Sequence, residues 1–207
     1  MVLTWRGTVA YRETLEDQRR TRDGILAGTL PPQLWGLEHL PVITTGRRDA
    51  AVEENKVRAA GYDLVATERG GLATCHEPGQ LVGYLLFDCS HFGVRRLVSA
   101  LEATIAAWLG DLGLPAGPRE GHPGVWVGRD KVAALGLHVK RGVTMHGFAL
   151  NLTNDLRGFS LIIPCGIADG GVSSVARLLG HAPSPEAAWP SLSRRLANAL
   201  DTPRIVE

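Results

Sequence analysis

Lysine is nearly missing from this sequence. The positive charge is carried almost wholly by arginine, and the only lysines are Lys56, Lys131 and Lys140. Lysine and arginine together number 22 against 21 aspartates and glutamates, a net charge of +1. A nucleic-acid or anionic-membrane surface needs a basic excess, so neither partner is expected. No apolar run approaches the ~18 residues of a membrane-spanning helix. No apolar segment follows a basic start, so no signal peptide is expected either. Cysteine is also scarce: Cys75, Cys89 and Cys165 cannot all pair with one another. Without an export signal they read as reduced thiols of a cytoplasmic protein. Three signatures are absent as well: the phosphate loop G-x-x-x-x-G-K-[ST], the dinucleotide fingerprint G-x-G-x-x-G and the nucleophile elbow G-x-S-x-G. The group Cys75, His76, Cys89 and His91 lacks the paired spacing of structural zinc, so no metal and no cofactor is expected.

What is present fits one domain with a substantial core: 207 residues, 44% of them hydrophobic. Residues 2–10 read as a strand and Tyr11–Ala27 as a polar helix ended by Gly28, with Arg19–Arg22 on a solvated face. Leu34–Thr45 reads as a strand closed by the turn Gly46-Arg47-Arg48, and Glu53–Ala60 as a short helix. Leu64–Thr67 and Leu81–Phe87 are strands that enter and leave a glycine-rich loop. From Val94 to Leu112 apolar residues recur at three and four, including Leu97, Leu101, Ile105, Trp108 and Leu109, which predicts a helix with one buried face. Val125–Val127, Lys131–Val139 and Val143–Asn151 are joined by short turns and form an antiparallel meander. A further strand is expected over Ser160–Pro164. Ser173 or Ser174 caps a helix through Leu179, and Ser184-Pro185 opens a last helix that Pro190 should kink or restart. Helices and strands do not alternate strictly, so the fold class is α+β, a mixed or antiparallel sheet flanked by helices.

The chemistry concentrates in four places. Arg69–Tyr84 packs four glycines, a proline and a histidine into one stretch, with two turns around Thr74-Cys75-His76. Ordered glycines cost entropy, and such a cluster needs positive φ angles or close backbone approach, as in a binding loop. Cys165, in Ile162-Ile163-Pro164-Cys165-Gly166-Ile167, reads as a small buried residue from its isoleucines. It reads as a reactive thiol from the stiff proline before it and the open glycine after it. Lys131 is either a turn lysine reaching solvent or, given the small residues Ala133, Ala134 and Gly136 beyond it, a group on the wall of an acyl pocket. An ammonium near a thiol favours the nucleophilic thiolate, so a Cys–Lys dyad is chemically sensible. His146, followed by Gly147, is either a satisfied structural histidine or an auxiliary group beside a ligand.

These segments together resemble the octanoyltransferase family (lipoyl protein ligase B, related to the biotin and lipoate protein ligases). The family carries R-G-G-x-x-T-x-H-x-P-G-Q-L-V-G-Y, matched by Arg69–Tyr84. Gly124–Val127 with Lys131–Gly136, His146–Asn151 and Pro164–Ile167 match its G-V-W-V…K-[IV]-A-x-[IL]-G, H-G-x-A-L-N and P-C-G-I. Glu38–Val42 with Gly46-Arg47 matches E-H-x-P-V…G-R. The resemblance implies a biotin/lipoate-protein-ligase-like fold and transfer of an octanoyl group from octanoyl-acyl carrier protein. The implied acceptors are lipoyl domains of 2-oxoacid dehydrogenase E2 subunits and the glycine cleavage H protein. It implies that Cys165 forms the acyl thioester and that Lys131 lowers its pKa and moves protons. It further implies an acyl site lined by Arg69, Gly70, Gly71, Leu72, Ala73, Thr74, Cys75 and His76, by Ala134, Leu135 and Gly136, and by Gly147, Phe148 and Ala149. Cys75 stands where an aromatic residue is usual and Glu77 where glycine is usual, which leaves the shape of the acyl pocket open. The alternatives are an ATP-dependent lipoate or biotin ligase, which needs no cysteine nucleophile, and a non-catalytic acyl-binding protein of the same fold.

Overall fold

The structure, a computed structural model, describes residues 1–48, 52–162 and 170–201. Pro164, Cys165, Gly166 and Ile167 therefore lie outside the described residues, as does the end of the strand expected at Ser160–Pro164. That strand is not seen where the chain is described: Arg157–Leu161 is a turn of 3-10 helix.

Strand β1 (Val2–Val9) is followed by helix α1 (Tyr11–Leu26) and by β2 (Gln33–His39), which lies parallel to β1. The helix stops where Gly28 takes φ +71°, a left-handed turn that glycine adopts without strain. The apolar stretch expected as one strand over 34–45 is two. Pro41 has no N–H to give to a ladder, and β2 ends before it. After it β3 (Val42–Thr45) departs to a second, small sheet with β4 (Asp63–Ala66) and β5 (Thr74–His76), β4 following α2 (Glu54–Ala59). β6 (Gln80–Leu86) returns to the large sheet, α3 spans Val94–Asp111, and β7 (Ala116–Arg119), β8 (His122–Val127), β9 (Asp130–Lys140) and β10 (Val143–Asn151) form the meander. β11 (Gly171–Val172) runs parallel to the start of β9, and α4 (Val175–Leu179) and α5 (Pro185–Asp201) close the chain. Ser174 caps α4 and Ser184 caps α5, each hydroxyl accepting a backbone N–H (3.3 and 3.2 Å). Pro190 lies inside α5, which continues through it.

The large sheet runs β1-β2-β6-β10-β9-β8-β7. Its centre, β6 and β10, is buried along its whole length because helices cover both faces. On one face α3 and α5 bring Leu97, Leu101, Ile105, Leu109, Trp189 and Leu192 against Leu85 and Leu150. On the other, Tyr11 and Leu15 of α1 meet Trp35, Tyr84 and Met145. This second contact corrects the solvated reading of Arg19–Arg22. Arg19 pairs with Glu16 and Glu68 and Arg20 with Asp17 on the surface, but Arg22 is buried, its guanidinium reaching Met145 Sδ (3.0 Å) and Asp23 (2.8 Å). A helix laid on a sheet must bury one stripe, and the arginine in that stripe keeps a carboxylate at its edge.

Candidate active site

A cavity of about 510 Å³ opens where the glycine-rich loop lies over β9, β10 and β6. The ladder sets its wall in rows of small side chains: Val82, Ala149 and Ala134 face one another across three strands, then Tyr84, Gly147 and Gly136. In the second row glycine is required at Gly147 and favoured at Gly136. A Cβ on Gly147 would stand 2.1 Å from the Gly83 carbonyl oxygen, and one on Gly136 would crowd Arg69 and the Gly70 carbonyl at 3.3 Å. The loop docks there by its backbone, Gly70 N–H donating to the Leu137 carbonyl (3.0 Å), and Gly71 turns it at φ +93°. Leu135 and Phe148, one residue out of step, also line the cavity but from the other side of the ladder, and Gly70, Gly71 and Leu72 line it from the loop.

Arg69 touches the cavity but is spent on structure. Its guanidinium donates to the Thr44 carbonyl (2.7 Å), the Thr44 hydroxyl (2.9 Å) and the Gly70 carbonyl (3.1 Å), tying the loop to the small sheet. β5 then alternates, as a strand must. Thr74 and His76 line the cavity, whereas Cys75, with Ala73 before the strand, packs among Ile43, Val57 and Ile162 on the far side. The unbroken lining run expected over 69–76 is thereby corrected at Ala73 and Cys75. Cys75 and Cys89 belong to different cores, and no three metal-ligating side chains converge among the described residues.

Lys131 is buried, not a turn lysine in solvent. Its backbone is held on both sides, by Trp126 of β8 and by Val172 of β11. Its stem passes Gly124, where a Cβ would come within 3.1 Å of Lys131 Cε. Its Nζ donates to the Pro123 carbonyl (3.0 Å) and sits 4.8 Å from the centre of the Trp126 ring. Cys165, the dyad's second member, falls outside the described residues.

Several lining residues escaped sequence reasoning. Val94 and Val98 belong to the helical period that was read as core, yet the first turns of α3 edge the cavity. Tyr11 and Tyr84 carry no motif signal of their own role, and with His39, His76 and His146 they form a buried polar cluster beneath the loop. His39 Nδ1 donates to the Val9 carbonyl (3.0 Å), so its Nε2 accepts from the Tyr84 hydroxyl (2.7 Å). His76 stacks on Tyr11 (5.8 Å between centroids) and its Nδ1 meets Gln80 Oε1 (2.7 Å). His146 takes φ +61° inside a strand, its N–H donating to Gln18 Oε1 (2.7 Å). Neither nitrogen of its ring has a hydrogen-bonding partner.

Burial holds these imidazoles neutral, lowering His39 to about 4 and His146 to about 3, with His76 also well below 6.5. A histidine kept neutral in the fold but free to protonate when unfolded costs stability as pH falls below about 6.5, down to its folded value. Unfolding in denaturant should therefore show a loss of about 1–2 kcal/mol per histidine between pH 7 and pH 5. The shifts of Asp17, Asp63 and Glu68 act only below their ordinary values of 3.8 to 4.5, outside that window. Equal stability at the two pH values would mean that the cluster takes up protons without unfolding.

Three comparisons bear on this site. The family model described as the lipoyl protein ligase A/B catalytic domain matches residues 10–197. An octanoyltransferase of Koribacter versatilis is 39% identical over 199 residues, covering 91% of this chain and 79% of that one. One of Mycobacterium sp. (strain KMS) is 41% identical over 202 residues, covering 94% and 83%. Among solved structures, a lipoate protein ligase of T. acidophilum with bound lipoic acid superposes with a TM-score of 0.75 at 18% identity, covering 96% of this chain and 85% of that one. The biotin protein ligase of Aquifex aeolicus superposes at 0.57 and 12% identity, covering 97% and 68%. At these identities the structures speak for the fold alone.

Proposed function

The chain belongs to the lipoyl protein ligase A/B catalytic-domain family, and we propose that it is a single-domain, cytoplasmic octanoyltransferase of lipoate biosynthesis. The donor is octanoyl-acyl carrier protein. The acceptors are lysines on the lipoyl domains of 2-oxoacid dehydrogenase E2 subunits and on the glycine cleavage H protein. The observation that carries the reading is Lys131: a lysine taken out of water, fixed by Pro123 and Trp126, on the wall of a cavity lined by Ala134, Leu135 and Ala149.

The chemistry runs in two balanced steps. The Cys165 thiolate attacks the donor's thioester carbonyl, a new thioester forms at Cys165, and the carrier's sulfur leaves as a thiol with a proton from the Lys131 ammonium. The acceptor amine then attacks that thioester, an amide forms, and the Cys165 thiolate is released. The first exchange is nearly neutral in energy and the second is downhill, so neither nucleotide nor metal is required. At pH 7 only about one unperturbed lysine amine in 2,500 is neutral, given a pKa near 10.4. The acceptor ammonium first loses one proton to water; as its amine attacks, neutral Lys131 takes the second, and as an ammonium it stabilises the released Cys165 thiolate. Arg69 and His76 hold the loop, His76 through its Nδ1–H to Gln80 Oε1. About seven tail carbons buried against the small-residue wall contribute roughly 5 kcal/mol, at about 0.8 per methylene. One methylene more or less changes binding by only about 1–3 kcal/mol, so chain-length selectivity is graded.

Incubation with octanoyl-acyl carrier protein and no acceptor should add one octanoyl group, labile to hydroxylamine, at Cys165. An adduct on Cys75 or Cys89, both buried, would overturn the assignment. Transfer to a lipoyl domain should proceed without nucleotide. If free octanoate plus ATP serves and the thioester does not, the chain is a ligase.

A further inference from the structure

The cavity changes character along its length. Lys131 stands at one end of β9, and six residues on, Leu137 pairs with His146. At a rise of about 3.3 Å per residue these points lie about 20 Å apart. An octanoyl chain has seven carbon–carbon bonds, and three extended backbone bonds span about 3.5 Å, so the chain reaches only about 8 Å. Its tail would end among the first rows, Ala134, Ala149 and Val82, which are apolar.

Beyond them the lining is Tyr11, His76, Tyr84 and His146. Gln80 Nε2 donates to the Cys75 carbonyl (3.1 Å) and to Asn151 Oδ1 (2.9 Å), so Gln80 Oε1 is the acceptor facing His76. His76 therefore carries its proton on Nδ1, and Nε2 is its acceptor. The Tyr11 hydroxyl, near that of Tyr84, lies outside hydrogen-bond geometry, and both nitrogens of buried His146 are unpartnered. Buried polar groups are ordinarily paired, and a hydrocarbon tail cannot pair these.

We propose that the Tyr11–His76–Tyr84–His146 end of the cavity is a subsite for an uncharged hydrogen-bonding group, such as a terminal hydroxyl, on the distal part of an acyl chain longer than octanoyl. The inference rests on the acyl-transfer reading. His76 Nε2 accepts from the hydroxyl and Tyr11 donates to it. All four groups are held in their neutral forms by burial, so the subsite meets a hydroxyl with neutral hydrogen-bonding groups.

The test compares four thioester donors on acyl carrier protein: octanoyl, 8-hydroxyoctanoyl, hexadecanoyl and 16-hydroxyhexadecanoyl, the last reaching about 19 Å. The quantity read is the ratio of kcat/KM for the hydroxyl-ended to the methyl-ended donor at each length. At eight carbons the hydroxyl lies unpaired among apolar side chains, and the ratio should fall to about one tenth or less. At sixteen it should rise at least tenfold above that value. Tyr11→Phe, which keeps the ring on His76, and His146→Asn, which tolerates the left-handed backbone, should each cut the sixteen-carbon ratio by about tenfold. A ratio that is flat or falls with length overturns the proposal. So does a rise that both variants leave intact, because the hydroxyl would then be in water. A ratio taken within one variant is independent of how much of it folds. Failure to transfer any of the four acyl groups would instead overturn the octanoyltransferase reading.

Discussion

Lys131→Ala is expected to lower transfer to the acceptor lysine by about 10²–10⁴-fold per folded molecule, the usual worth of a positioned acid–base group. It should also slow acylation of Cys165, because the thiol loses the nearby ammonium that favours its charged form. The pH midpoint of Cys165 alkylation by iodoacetamide should then rise. Lys131→Arg separates the two duties. A guanidinium still stabilises a thiolate but does not give up its proton at accessible pH, so acylation should survive in part while transfer falls much further. Fit limits this variant, since the side chain must pass Gly124 and the Trp126 face. If Lys131 were only a brace for Pro123 and Trp126, the alanine variant would lose stability but keep its alkylation midpoint and its transfer rate per folded molecule. That pattern would leave Cys165 without its proposed partner.

What could be read from the sequence was whatever a local period or a turn residue dictates. The apolar period of 94–112 fixed α3, and Gly128-Arg129 and Arg141-Gly142 separated strands that the structure pairs as a meander. The elements that were missed are those decided by tertiary contact. β5 is three residues long inside a loop-like stretch and exists only because β3 is there to pair with it. β7 contains Gly117 and Pro118, poor strand residues that a sheet edge tolerates. The break at Pro41 was passed over, although a proline that gives no N–H to a ladder marks it, and nothing local shows that the chain changes sheets across it. At the site the glycine loop and the small-residue strands were legible because close approach demands them. The polar cluster was not, because His39, His76, Tyr84 and His146 come from separate strands and Tyr11 from a helix, and only the fold brings them together. Val94 and Val98 show the converse limit: periodicity predicts the face of a helix, not whether that face meets a core or a cavity.

Glu77→Gly should cost about 4 kcal/mol of stability, although glycine is the residue the octanoyltransferase pattern usually has there. In this chain the Glu77 carboxylate is buried and accepts from five donors. They are the Tyr62 hydroxyl (2.6 Å), Leu156 N–H (2.9 Å), Asn154 Nδ2 (3.1 Å), Gly158 N–H (3.3 Å) and the Cys75 thiol (3.7 Å). It thereby fixes residues 154–158, where Leu156 holds a left-handed φ of +68° that needs an external anchor. Each donor left unmatched costs about 1–3 kcal/mol, reduced where water enters the vacated space. The neighbouring departure belongs to the same device. Cys75 Sγ lies where a Cβ on Gly158 would come within 2.2 Å, so an aromatic residue at position 75 has no room while that segment is drawn in. Glu77→Gln keeps the shape but turns one acceptor into a donor facing donors, and should recover little of the loss. At about 2–4 °C per kcal/mol for a chain of this size, the glycine variant should melt about 8–16 °C lower. A fall of less than 3 °C would mean that water replaces the carboxylate at no cost, and that residues 154–158 are held by the Asn151–Asn154 and Gln80 contacts alone.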